Sequence, residues 1–266
     1  MAQFEIGFHS MALCRRVQVQ VLIPNDIPFE MMQNNVYFER PMKTLFLLHG
    51  YSGDENDWLM ESNITTLSCK YNIAVVMPCG ENSFYLNGKG VGRQYATFVG
   101  EELPNYIKKT FNLCQNNEDT YIGGLSMGGF GALHTGLLYA QTFSKIAALS
   151  SALIVHNIAH MQPNTSDLIA DYDYYSLTFG DLEKVEKSDN NPEVLLKKLK
   201  SEGKIIPQIY MACGTEDFLL KENREFKTFL DMEKIKAEYV EGHGTHDWEY
   251  WNRHLEKFIK WMLQIS

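Results

Sequence analysis

The sequence holds five cysteines, Cys14, Cys69, Cys79, Cys114 and Cys213, and no two of them are spaced as C-x-x-C. An odd, scattered set argues against a disulfide framework and against a structural zinc site. There is no run of 18 apolar residues, so no membrane span is expected. There is no block of lysine or arginine either. With a net charge of −9, nucleic acid and anionic membranes are poor partners. The opening stretch, MAQFEIGFHSMALCRRVQVQVLIP, lacks a basic start followed by an apolar core, so it does not read as a signal peptide. Together these absences point to a reducing cytoplasm. Internal repeats and low-complexity linkers are missing too. What remains is 266 residues, 45% hydrophobic and 21% charged, enough for one large domain over residues 1–266.

Short apolar runs recur along the chain. Thr44–Leu48 ends in His-Gly, Ile73–Met77 ends in Pro78, and Thr120–Ile122 leads into glycines. Ile146–Leu149 ends in a serine pair, and Ile209–Cys213 ends in Gly214. Such runs predict strands buried on both faces, as in a parallel sheet. Helical spacing separates them: Leu103, Ile107 and Phe111; Leu133, Leu137 and Leu138; Phe226, Phe229 and Leu230; and Leu255, Phe258, Ile259 and Met262. Pro104 either kinks the first of these helices or marks its first turn. Alternation of this kind predicts an α/β fold with helices on both faces of one mostly parallel sheet. Phe4–Ile23 alternates instead, with Val17, Val19 and Val21 set against Arg16, Gln18 and Gln20. It predicts a half-buried antiparallel strand at a sheet edge. Pro24–Pro41 reads as a hairpin loop. Residues 151–207 break the rhythm. They hold an Asp-Tyr cluster at 171–175 and one helix from Pro192 to Lys200, and they predict a small cap or lid insertion.

Five glycines lie between Gly123 and Gly131, and Ser126 sits among them. Gly124-Leu-Ser126-Met-Gly128 fits G-x-S-x-G, with a buried strand before it and a helical pattern after it. A serine on a sharp strand-to-helix turn needs small neighbours two positions away. The helix start behind it supplies N–H groups and partial positive charge. Such a hydroxyl becomes a nucleophile only when a base takes its proton. The partners are expected downstream, at later strand ends. Ile209–Cys213 runs into Glu216 and Asp217. Asp217 is favoured because Phe218-Leu219-Leu220 returns it to the core. Ala237–Val240 runs into His243 and His246. His246 is favoured because the aromatic run from Trp248 to Trp251 follows it, and His243 stays as the alternative. The oxyanion of an acyl-transfer intermediate needs two donors. One is the N–H of Met127, just after the serine. The other is assigned to Tyr51, in the loop Leu47-Leu-His-Gly-Tyr-Ser-Gly53. Trp58, Phe84, Tyr85 and Trp248, with cap aromatics near Tyr174, are candidates for the walls of a substrate pocket. The acidic residues of HGYSGDEND read as a solvated loop, not a metal site. This chemistry calls for no metal and no organic cofactor.

LLHGYSGDENDW, IGGLSMGGFGAL, CGTEDFL and GTHDWEYW resemble the esterase D family of α/β-hydrolases. The match looks nearest to the bacterial tributyrin esterases, which act on short acyl chains, and FHSMALCRRVQVQVLIP and PCGENSFYLNGKG also resemble that group. The likeness covers nearly the whole chain and is weakest across residues 151–207. It implies an α/β-hydrolase fold and a serine carboxylesterase acting on small-molecule esters. The family's nucleophile falls on Ser126, its acid on Asp217, its base on His246 and its oxyanion donors on Tyr51 and Met127. Its tryptophan two residues after the histidine matches Trp248 and so selects His246 over His243. S-formylglutathione hydrolases are similar but carry a cysteine where this chain has Tyr51-Ser-Gly53. Feruloyl esterases share the framework, so that activity, acetyl-xylan-type hydrolysis and S-formylglutathione hydrolysis stand as alternatives, as does acyl transfer. A binding module that has lost its chemistry fits poorly with serine, acid and histidine all present in order. A homo-oligomer is compatible with the sequence.

Overall fold

Leu45 and Leu47 pack into one apolar cluster of the folded chain, and Phe46 and Leu48 pack into another. This period-two split is what an unbroken apolar run produces when both faces of a strand are covered. The computed structural model describes residues 1–33 and 35–265. Among these, eight strands form one sheet: β1 (Ala2–Ser10), β2 (Arg15–Ile23), β3 (Lys43–Leu48), β4 (Ile73–Pro78), β5 (Thr120–Leu125), β6 (Lys145–Leu149), β7 (Gln208–Gly214) and β8 (Ala237–Gly242). Their spatial order is β1-β2-β4-β3-β5-β6-β7-β8. From β4 to β8 every pairing is parallel, whereas β1–β2 and β2–β4 are antiparallel.

Helices Met127–Leu138, Leu103–Phe111, Pro192–Ser201 and Leu220–Met232 contribute to the cluster around Phe46. Helices Ile64–Tyr71 and Trp248–Leu263 cover the opposite face, around Leu45. Each wholly buried Leu, Phe or Ile contributes roughly 1.5–3 kcal/mol relative to exposure. The layers are those of the α/β-hydrolase fold.

Three local expectations change. Phe4–Ile23 is two strands rather than one, because Met11–Cys14 turns the chain and pairs Ala2 with Ile23. Cys14 takes a left-handed φ of 49° in that turn. Residues 24–41 do not close a hairpin. β4 lies between β2 and β3, so this stretch must cross it, and it does so with the short helices Phe29–Met32 and Val36–Phe38. Within residues 151–207 the Asp-Tyr cluster forms a second substantial helix, Tyr172–Phe179. The Asp171 carboxylate caps it by accepting from the Tyr174 N–H at 2.8 Å. Pro104 stands second in Leu103–Phe111, immediately after a π-helical turn at Phe98–Glu102.

Candidate active site

The parallel register lines up the strand ends. Leu48 pairs with Gly124, Leu125 with Leu149, Leu149 with Ala212, and Gly214 with Gly242. The loops that follow β3, β5, β6, β7 and β8 therefore open onto one edge of the sheet. In a sheet of this kind ligands bind at that carboxyl edge.

Ser126 leaves β5 with φ 52° and ψ −118°, a left-handed and strained backbone for a residue with a side chain. Its N–H is held by the Leu149 carbonyl at 2.9 Å. Its own carbonyl accepts from Ala152 and Phe130, both at 3.0 Å. Gly124 and Gly128 make the turn sterically feasible. A Cβ on Gly124 would lie 2.4 Å from the Gly128 carbonyl oxygen, and one on Gly128 would lie 2.4 Å from that of Leu48. Gly129 lies against the end of β6, where a Cβ would meet the Leu149 carbonyl at 2.9 Å. Gly131 faces the Tyr85 ring rather than the sheet. The helix Met127–Leu138 starts directly after Ser126, so the Met127 N–H has no acceptor within the helix and lies at its positive end.

The His246 Nε2 is 2.9 Å from the Ser126 Oγ. On the other side of the ring, Nδ1 is 2.9 Å from Asp217 Oδ2 and 3.1 Å from Oδ1. The carboxylate can only accept, so Nδ1–H donates to it and Nε2 is left to accept from the serine hydroxyl. The Asp217 side chain is fully enclosed, and Oδ1 also accepts from the Leu219 N–H at 2.9 Å. Burial alone would raise the Asp217 carboxyl. The hydrogen bond and charge of His246, the Leu219 N–H and the Ser150 hydroxyl outweigh burial and hold it below its ordinary value. Glu216 and His243, the alternatives, pair with each other at 3.0 Å on the surface. Three hydrogen-bonding partners on Glu216, the Gly244 N–H first, then His243 and Thr215, bring its carboxyl to about 2.

The loop Leu47–Gly53 lies against the turn at Ser126, since a methyl on Gly50 would come within 2.8 Å of Leu125 Cδ1 and 3.6 Å of Ser126 Cβ. His49 is buried and orients this loop. Its Nε2 accepts from the Gly80 N–H at 2.8 Å, so Nδ1–H donates to the Gly50 carbonyl at 2.7 Å. Burial keeps the imidazole neutral by lowering its pKa. Fixing the Gly50 carbonyl fixes the peptide whose other end is the Tyr51 N–H.

A cleft of about 390 Å³ opens onto Ser126, and Tyr51, Phe84 and Met127 line it. Trp58, Tyr85 and Trp248 do not. Trp58 and Tyr85 are core residues, 1% and 0% exposed. The Trp58 indole N–H donates to the Leu48 carbonyl, and the Tyr85 hydroxyl donates to the His49 carbonyl. Phe84 and Tyr85 both have left-handed backbones, at φ 51° and 55°. That kink turns one ring to the cleft and the other to the loop behind it. Trp248 stands edge-on between Trp58 and Trp251, and Trp251 stands edge-on to the His246 ring. These rings brace the site from behind. A cavity of about 450 Å³ adjoins the cleft beyond Asn157 and Glu222, but no hydroxyl or thiol lines it.

Several contributors have no motif of their own. Asn223 is wholly buried and joins the Ser151 backbone to the Leu219 carbonyl, tying the end of β6 to the loop that carries Asp217. Leu168, Ile169 and Phe218 stand exposed at the cleft and give its mouth an apolar rim. A polar residue inside a helix and apolar runs of two or three residues in loops carry no periodic signal, so spacing does not say that these face the site.

The family model described as "Putative esterase" matches residues 10–262. An acetyl esterase of Caldicellulosiruptor saccharolyticus is 44% identical over 266 residues, 100% of each chain. A substrate-bound fluorophosphonate-binding serine hydrolase of Staphylococcus aureus has a TM-score of 0.83 and 28% identity, over 98% of each chain. An S-formylglutathione hydrolase of the same organism has a TM-score of 0.81 and 29% identity, again over 98% of each. No helix among the described residues is long and apolar enough to cross a membrane. With a sheet of this order and a family match over nearly its whole length, the chain belongs to this esterase family and is a serine-type carboxylic ester hydrolase.

Proposed function

We propose that the enzyme hydrolyses short-chain acyl esters, acetyl esters foremost, through an acyl-enzyme on Ser126. The observation that carries this reading is the continuous chain Ser126–His246–Asp217, at 2.9 Å for each closer contact, beside a small, largely apolar cleft. Ser126 Oγ attacks the ester carbonyl while His246 Nε2 takes its proton, and Asp217 holds the ring and balances the imidazolium. The carbonyl oxygen becomes an oxyanion held by the N–H groups of Tyr51 and Met127. His246 returns the proton to the departing alcohol. Water then attacks the acyl-enzyme by the same route. Losing one oxyanion donor costs about 3 kcal/mol in comparable sites. Both donors here are backbone groups, so their side chains can change without removing them.

Residues 151–207 act as a cap within a single domain, supported by the contribution of Ile154, Asp167, Leu168, Ile169 and Tyr175 to the cleft wall. Free thiols at all five cysteines support a reducing, cytoplasmic setting. The likeness to an acetyl esterase across the full length supports a small acyl group. Hydrolysis of S-formylglutathione is the second reading, favoured by the likeness to the staphylococcal enzyme of that name.

The test is turnover of p-nitrophenyl acetate, butyrate and octanoate beside a glutathione thioester. The expected kcat/KM falls from acetate to octanoate, and all turnover disappears in Ser126→Ala, by about 10⁴-fold or more. Preference for the thioester would replace the first reading with the second. Substantial turnover by folded Ser126→Ala would remove Ser126 from the chemistry.

A further inference from the structure

The loop after β3 closes a four-residue turn, Gly50-Tyr51-Ser52-Gly53, in which the Gly53 N–H donates to the Gly50 carbonyl at 3.2 Å. Ser52, in the third position, has a left-handed φ of 64°. A turn of this kind favours glycine there, so a serine keeps the shape at the expense of strain and needs support from outside the turn. Two peptides meet at the Tyr51 Cα. The first carries the Tyr51 N–H, and the His49 ring holds its carbonyl at 2.7 Å. The second carries the Ser52 N–H, which the turn itself leaves without an acceptor. Asn82 Oδ1 accepts from it at 2.7 Å. Both braces depend on one loop after β4: the Gly80 N–H orients His49 at 2.8 Å, and Asn82 stands two residues further on. That loop is anchored in turn. The Ser83 hydroxyl donates to the Gly80 carbonyl at 2.6 Å, and the Asn82 carbonyl accepts from the Tyr174 hydroxyl at 2.7 Å.

We propose that Asn82 is a positioning residue for the oxyanion: its side-chain oxygen fixes the Tyr51–Ser52 peptide and, with it, the aim of the Tyr51 N–H. The proposal rests on the reading of that N–H as one of the two oxyanion donors. Each peptide unit is planar, so holding the units on both sides of one Cα fixes the two dihedrals between them. His49 holds one unit and Asn82 holds the other. Without Asn82 the middle peptide can rotate to relieve Ser52. That rotation shifts the Tyr51 Cα and tilts its N–H away from the developing charge. Tyr51 lines the cleft and Asn82 does not, so Asn82 acts through the turn rather than on the ester.

The experiment compares the wild-type enzyme with Asn82→Ala and Asn82→Leu on p-nitrophenyl acetate and on its thiono analogue, in which sulfur replaces the carbonyl oxygen. Sulfur accepts hydrogen bonds weakly, so the thiono ester gains little from N–H groups placed for an oxyanion. The wild type is expected to prefer the oxygen ester by about 100-fold or more, relative to the preference of hydroxide in the same buffer. Asn82→Ala should lower kcat for the oxygen ester about tenfold with KM unchanged, since a tilted donor keeps part of its bond. Thiono turnover should stay close to wild type, so the preference shrinks by the same factor. Asn82→Leu keeps the volume and loses the acceptor, and it decides the matter if Asn82→Ala does not fold. Wild-type kcat and preference in the folded variants, with only Tm lowered, would overturn the proposal. So would an equal loss on both esters. A wild type without preference would remove the oxyanion reading itself. A strong wild-type preference that both variants keep would leave that reading standing and end the role of Asn82.

Discussion

Ser126, Asp217 and His246 come from the ends of strands paired along their length. The residues across the cleft come from 151–207, a connection between β6 and β7 that adds no strand to the sheet. On the first side the proposed reacting groups and the loop beside them are held from several directions: Ser126 by three backbone bonds, Asp217 by His246 and Leu219, and His49 of the loop by Gly80 and Gly50. On the second side Leu168 is fully exposed and Ile169 is half-exposed. Acyl transfer needs its groups fixed to a fraction of an ångström, whereas accepting an acyl chain needs only apolar surface of about the right size. The difference predicts that changes on the strand side act on kcat by orders of magnitude, and that changes on the cap side act on substrate preference by small factors.

The largest effect should fall on the histidine pair. His246→Ala is expected to lower kcat by about 10⁴-fold while the protein stays folded. His243→Ala should stay within about twofold, because His243 is exposed and pairs only with Glu216 at the surface. Steady-state rates of the two purified variants on one acetyl ester check this. The reverse pattern would mean that the 2.9 Å contact between His246 and Ser126 is not the working one.

Much of the strand side was legible in the sequence. Each member of the Ser126, Asp217 and His246 set follows a short apolar run, and a parallel sheet brings the ends of such runs to one edge. Chain order and strand ends therefore located residues 91 and 29 positions apart. Aromatic side chains were not legible in the same way. Trp58, Tyr85 and Trp248 lie near motifs, and proximity along the chain does not say whether a ring faces a cleft or the core. Tyr85 follows Phe84 directly, yet only Phe84 lines the cleft. The surroundings of Ser150 were invisible for another reason, since the indole that donates to its Oγ comes from a helix 101 residues away. The cap was hardest to read: Asp171 caps a helix whose tyrosines carry no clean period.

A smaller effect tests the rigidity of the strand side. His134 lies in the helix behind Ser126, is buried, and reaches the Asp189 carbonyl of the cap segment through Nε2 at 3.1 Å. Burial lowers its pKa to about 4. The unfolded chain, with an ordinary imidazole near 6.5, then binds the extra proton between those two values. Stability from the neutral ring is thus complete above about pH 6.5 and is lost as pH falls toward 4, by on the order of 3 kcal/mol. Denaturant titrations at pH 7, 6 and 5 should show that slope in the wild type and a shallower one in His134→Gln. His254, also lowered to about 4 by burial and then by Lys257 and Arg253, adds slope of the same sign. The variant should therefore keep part of the dependence. An unchanged slope in His134→Gln would mean that the ring is charged in the folded state.

The smallest effect sharpens the contrast most, because it should leave the chemistry untouched. Asp167 shapes the tip of the cap: Oδ1 accepts from the Ile169 and Ala170 N–H groups at 2.8 Å each, and Oδ2 accepts from the Tyr175 hydroxyl at 2.9 Å. That shape does not depend on the side chains of Leu168 and Ile169, which project from it. Replacing both by serine should therefore leave Tm and kcat for an acetyl ester close to wild type. A butyryl chain is two methylenes longer. If it lies along this rim, it loses part of about 0.8 kcal/mol per methylene in the variant, so its kcat/KM should fall about three- to fivefold. The measured quantity is the ratio of butyrate to acetate kcat/KM in the two proteins. A fall in kcat for acetate would show that the cap helps to position the reacting groups. An unchanged ratio would show that the acyl chain lies elsewhere, toward Phe84 and Met127, and that the strand side selects the substrate as well as transforming it.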